Sequence, residues 1–127
     1  MHTTPPTPGY PGVGAHDVCQ GAAAAMEIGE VGRCLEAIPG WVSSGTRLHK
    51  TFHCTTFRTS IEFVLTVAEI SENANHHPNL HVEDKRSVKV ELWTRRFDAL
   101  TRIDFELAAV IDAAYEDLEI RVENSEG

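Results

Sequence analysis

The sequence predicts an α+β fold: a four-stranded antiparallel sheet with three helices on one face, in the order α-β-β-α-β-β-α. Three observations lead there. Apolar residues recur at helical spacing in three separate stretches. Between them lie two pairs of short segments with strand-like alternation. Each pair is joined by a turn signal, Ser43-Ser44-Gly45 in one and the charged run Glu83 to Arg86 in the other.

The elements follow in order. Residues 1–17 carry four of the six prolines and three glycines, which predicts a disordered tail, with the folded domain over 18–127. A short helix is expected near 28–38, with Val31, Cys34, Leu35 and Ile38 on one face and Pro39-Gly40 closing it. Trp41 to Cys54 reads as two short strands. Leu48, Lys50, Phe52 and Cys54 share one face, and His49, Thr51 and His53 the other. Lys50 breaks the alternation. Thr55 or Thr56 can cap the next helix. That helix shows two apolar stripes, Phe57, Ile61, Val64, Leu65 and Ala68 on one side and Phe63, Val67, Ile70 and Ala74 on another. Two stripes call for two burial surfaces, the sheet and a neighbouring helix or subunit. Leu80-His81-Val82 forms a short strand. Ser87 to Thr94 alternates, with Val88, Val90 and Leu92 inward and Lys89, Glu91 and Trp93 outward. Thr101 and Asp104 then have the spacing of a capping box, opening a helix that buries Ile103, Leu107, Val110, Ile111, Ala114 and Leu118.

The totals bound the function. A chain of 127 residues that is 42% hydrophobic suits one domain with its own core. No apolar run is long enough to span a bilayer, and no basic-then-apolar leader is visible. Cys19, Cys34 and Cys54 form neither a disulfide framework nor a zinc knuckle, which points to a reducing cytoplasm. A net charge of -8 argues against nucleic acid as a partner. The charge is uneven: Lys85, Arg86, Lys89, Arg95, Arg96 and Arg102 precede a strongly acidic final helix. This is either a solvated surface or a polar face for a protein partner.

The chemistry concentrates at Asn75-His76-His77-Pro78. A proline pushes the residue before it out of helical geometry, so His77 belongs in a turn at the helix end. Imidazole is the side chain best suited to proton transfer near neutrality. The plain alternative is a pair of helix-terminal imidazoles bonding backbone carbonyls. His49, His53 and His81 have no ligand spacing, so no metal is expected.

Taken together, these residues resemble the pterin-4a-carbinolamine dehydratase family, one member of which is also a transcriptional dimerisation cofactor. The resemblance rests on Pro39-Gly40-Trp41, Phe52, Phe57, the run from Glu72 to Pro78, Val88 through Leu92, Thr94, and Leu100-Thr101-x-x-Asp104 followed by Leu107-Ala108. It implies the fold derived above, a homodimer or tetramer, and dehydration of a 4a-hydroxytetrahydropterin without any cofactor. It implies His76 and His77 as the catalytic pair. Glu72, Asn75, Pro78, Arg95 and Asp104 fall at substrate-binding or altered catalytic positions. Asn75 stands where better-known members have aspartate. Arg95 stands where the family has a third histidine, and a guanidinium does not exchange protons near neutrality. Ala99 replaces a frequent glycine.

A second branch with this fold comprises the dehydratase-like RuBisCO assembly factors of carboxysomes and chloroplasts. Leu92-Trp93-Thr94 and the run from Asp104 to Asp112 resemble it. It implies a non-catalytic chaperone with RuBisCO as client, Trp93 as a partner contact and a carboxysome-associated location.

Overall fold

The computed structural model describes residues 25–126. The expected disordered tail at 1–17 lies outside them. Seven elements follow one another: α1 (Ile28–Leu35), β1 (Val42–Ser43), β2 (Leu48–His53), α2 (Phe57–Ala74), β3 (Asn79–Glu83), β4 (Ser87–Leu92) and α3 (Arg102–Glu126). The order is the predicted one. The strands form a single antiparallel sheet in the order β1-β2-β4-β3.

Register explains which face is covered. Leu48, Lys50 and Phe52 of β2 stand opposite Leu92, Val90 and Val88 of β4. Alternation then puts all six on one face. Five of them are buried, together with Phe63, Val67 and Ile70 of α2 and Phe105, Ala108 and Ile111 of α3. The opposite face carries Thr51, His53 and His81, all exposed.

Four details depart from expectation. First, α1 stops at Leu35, and the chain reaches Pro39 through tighter bonds, Glu36 N–H to Arg33 O, Ala37 N–H to Cys34 O and Ile38 N–H to Leu35 O. Ile38 is still buried. Second, within the single chain one apolar stripe of α2 is buried and the other, expected against a neighbouring helix or subunit, is open. Phe57, Ile61 and Leu65 are exposed, Leu65 by 64%. The buried face is completed by Thr59, Ser60 and Ser71 instead. The Ser60 and Ser71 hydroxyls donate to the carbonyls of Thr56 and Val67, one turn back, so these small polar residues cost little to bury. Third, Ile103 is only partly buried and Phe105 takes its place in the core. Fourth, Cys34 is wholly buried and disulfide-bonded. This corrects the expectation of cysteines without a cross-link. Cys54 is buried and free, and burial pushes its thiol pKa up.

Lys50 faces inward as the register requires, and the core answers its charge. Its Nζ lies 2.8 Å from Asp112 Oδ1 on α3, and Trp41 Nε1 donates to the same carboxylate at 3.1 Å. Gly40 makes room: its φ is +95°, and an added Cβ would come within 3.1 Å of the Lys50 ammonium. Asp112→Ala is therefore expected to cost about 1–3 kcal/mol, because it strands two donors at once. The lost stability would appear as a lower urea midpoint with an unchanged slope.

Candidate active site

The site is assembled at one end of the helical layer, where α2 stops and α3 starts. Asn75 terminates α2 in the left-handed region at φ 53° and ψ 43°. Asparagine tolerates that region better than other non-glycine residues. The bonds His76 N–H to Ser71 O and Asn75 N–H to Glu72 O complete a Schellman stop. The side chain of Asn75 is exposed, and its visible part in the site is this backbone turn. The turn throws His76 and His77 off the helix in succession, and Pro78 prevents its resumption.

His76 points inward, with 14% of its side chain exposed, and its Nε2 is 2.6 Å from Asp104 Oδ1. Asp104 is fully buried in the first turn of α3. Its other oxygen accepts the Thr94 hydroxyl at 2.8 Å and the Thr101 backbone N–H at 3.0 Å. Thr94 spends its hydrogen on the carboxylate, so in the 2.8 Å bond between the two threonines Thr101 donates. Asp104 thus caps α3, as its spacing from Thr101 predicts, and holds His76. Facing an ionised carboxylate, His76 Nε2 is the donor in this contact, and in a neutral ring Nδ1 is then the acceptor.

His77 faces outward. Its Nε2 is 2.8 Å from Glu72 Oε2, with the two side chains 49% and 74% exposed. Such a pair contributes little to stability, but it orients the ring. The His77 carbonyl accepts from Arg95 Nη1 at 2.7 Å. Arg95 Nη2 reaches Asn79 Oδ1 at 3.4 Å, and Asn79 Nδ2 donates to Glu91 at 3.2 Å. Trp93 is not a bare outward ring. Arg95 lies over it at 4.3 Å and Arg47 at 4.1 Å.

The structure therefore brings Glu72, His76, His77, Arg95 and Asp104 together around the turn at Asn75 and Pro78. Each imidazole has its own carboxylate, one buried and one in solvent. Sequence reasoning missed Asn79, which no spacing rule marks. It named Thr94 and Thr101 without their link to the carboxylate, since the chain gives no sign that a strand end and a helix start converge. Among the described residues no group of three His, Cys, Asp or Glu could hold a metal. No helix there is long and apolar enough to cross a membrane. A groove of about 250 Å³ lined by Thr55, Glu119, Ile120, Val122 and Glu123 lies elsewhere, about 22 Å along α3 from Asp104.

Comparison with known proteins gives a family and a fold. Residues 24–114 match the family model described as pterin 4 alpha carbinolamine dehydratase. A Dechloromonas aromatica protein named for the same dehydratase is 35% identical over 98 residues, covering 77% of this chain and 87% of that protein. Among solved structures, a transcriptional coactivator/pterin dehydratase from Brucella melitensis superposes with a TM-score of 0.66 at 25% identity, covering 71% of this chain and 97% of that one. A pterin dehydratase-like protein identified as a RuBisCO assembly factor in the alpha-carboxysome superposes with a TM-score of 0.50 at 22% identity, covering 59% and 86%. The last shares the fold.

Proposed function

The chain belongs to the pterin 4 alpha carbinolamine dehydratase family, and from that premise we propose that it removes water from a 4a-hydroxytetrahydropterin. The reaction takes the proton from N5, forms the N5–C4a double bond and releases the C4a hydroxyl, which leaves as water once protonated. It needs a base and an acid and no cofactor. His76 Nδ1 is the base, because Asp104 keeps the proton on Nε2. His77, in solvent beside Glu72, protonates the departing hydroxyl. The observation that carries this reading is the 2.6 Å contact between His76 and a carboxylate with no solvent exposure. A buried charge so fully bonded is costly to assemble and serves to fix one tautomer.

The second reading is a non-catalytic RuBisCO assembly factor. Arg95 favours it, since the third corner of the site holds a group that cannot transfer protons. In that reading Trp93 and its arginines meet the client and the location is the carboxysome rather than the general cytoplasm. Either reading takes a homodimer or tetramer, with the exposed Phe57, Ile61 and Leu65 of α2 as one contact face.

Turnover of a chemically generated 4a-hydroxypterin separates them. The purified protein is expected to accelerate dehydration, and His77→Ala to lower kcat about a hundredfold. A wild-type protein with no turnover, made active by Arg95→His, would overturn the enzymatic reading in favour of the second.

A further inference from the structure

We infer that Arg95 is a positioning residue for His77, a brace that does for the outer imidazole what Asp104 does for the inner one. The inference rests on the acid–base reading of the histidine pair and deepens it. His77 has no buried partner. Among the described residues its ring meets only Glu72, itself three-quarters exposed, and such a pair in solvent holds a ring only weakly. What is held is the backbone. The His77 carbonyl takes Arg95 Nη1 at 2.7 Å, and Nη2 of the same guanidinium reaches the side chain of Asn79, two residues on. A planar fork bonded on both sides of Pro78 sets the direction in which the His77 side chain leaves the chain.

Arg95 is itself exposed, and what steadies its fork is the half-buried ring beneath it. The fork stacks over Trp93, which follows β4 directly, and Arg47 lies over the same ring while donating to Asp98 Oδ1 at 3.2 Å. Asn79 in turn is tied to Glu91 of β4. The turn is thus tied to the sheet twice, directly through β3, which starts at Asn79, and through one planar cation from the end of β4. At this position a lysine would keep the charge but supply a single point donor and a poorer stack. The arginine at the third corner is accordingly a structural tie with both terminal nitrogens engaged, not a spare charge facing a ligand.

The test is Arg95→Lys in the full chain, with Trp93→Leu as a second variant that loosens the same tie from below. In Arg95→Lys, kcat for the 4a-hydroxypterin should fall about tenfold, with KM changed less than about twofold, since misplacing an acid slows chemistry more than binding. Glu72→Gln should slow the wild type and have little further effect in the Arg95→Lys background, because the two changes act through one ring. Histidine ring NMR gives a readout that needs no turnover. The His77 ring signals should shift or broaden in both variants while those of His76, locked to Asp104, stay put. Unchanged His77 signals would overturn the inference, as would equal changes at both histidines, which would mean general loosening. Absence of turnover in the wild type would sink the acid–base reading alone, and the ring signals would still decide the role of Arg95.

Discussion

Asp104→Asn is expected to cut turnover about a thousandfold while leaving the fold in place. The reasoning concerns one hydrogen atom. Asparagine fills the same space, but its two ends differ. The end that replaces Oδ2 faces the Thr101 backbone N–H at 3.0 Å, which can only donate. The amide nitrogen cannot sit there, so the carbonyl oxygen must, and the NH₂ group is forced toward His76 Nε2. That nitrogen must then accept. The ring proton moves to Nδ1, and the lone pair assigned to the N5 proton is lost. Thr94 still finds an acceptor in the carbonyl oxygen, so the start of α3 survives. Steady-state kcat gives the size of the loss, and nitrogen-15 shifts of the His76 ring give its cause. His76→Ala should fall to a similar level, and combining the two changes should cost little more, as for groups that act as a unit. Turnover within threefold of wild type in Asp104→Asn, with the tautomer demonstrably reversed, would remove His76 from the role of base.

Part of this site was legible in the chain and part was not, for physical reasons. His76-His77-Pro78 at the end of an apolar-periodic segment is local information, and a proline stops a helix wherever it occurs. The spacing of Thr101 and Asp104 is also local, since a helix start is built from a few consecutive residues. The pairing of Asp104 with His76 depends on two helix ends meeting within the layer that covers the sheet, and no period in the sequence encodes that. The stripes of α2 show a different limit. Hydropathy favours Phe57, Ile61 and Leu65, yet the side that packs carries Thr59, Ser60 and Ser71, whose hydroxyls bond within the helix or its cap. A reading that counts only apolar residues ranks the exposed face above the buried one. Lys50 is the converse case. It keeps its place in the alternation, and its charge, an exception within the sequence pattern, is answered by Asp112, a distant residue on α3. In the sequence Arg95 stands out only by the histidine it replaces. Its acceptors, a backbone carbonyl and an asparagine, leave no mark in a motif.

The largest loss of stability is expected from Phe52→Ala. Phe52 is 2% exposed, and its ring lies 5.9 Å from that of Trp41, 4.8 Å from Phe63 and 5.0 Å from Tyr115. These residues come from the entry to β1, from α2 and from α3, so one side chain of β2 joins the sheet to both long helices. Truncating it removes the transfer energy of the ring and leaves a cavity that four elements would have to collapse together. A cost of about 3–5 kcal/mol follows, a large share of the roughly 5–15 kcal/mol that holds a domain together. Phe52→Leu keeps most of the volume and should cost much less. Urea denaturation followed by fluorescence measures both. The same variants ask how the site is held. Phe52 contacts α2 and α3 through Phe63 and Tyr115, whereas His76 and Asp104 meet at the far end of the same two helices. If the threonine bonds to Asp104 suffice to hold that end, the surviving folded fraction of Phe52→Ala keeps its turnover, and activity falls only as the molecule unfolds. A loss of kcat well ahead of unfolding would mean that the histidine is aimed by the packing of the helices along their whole length, and not by the carboxylate alone.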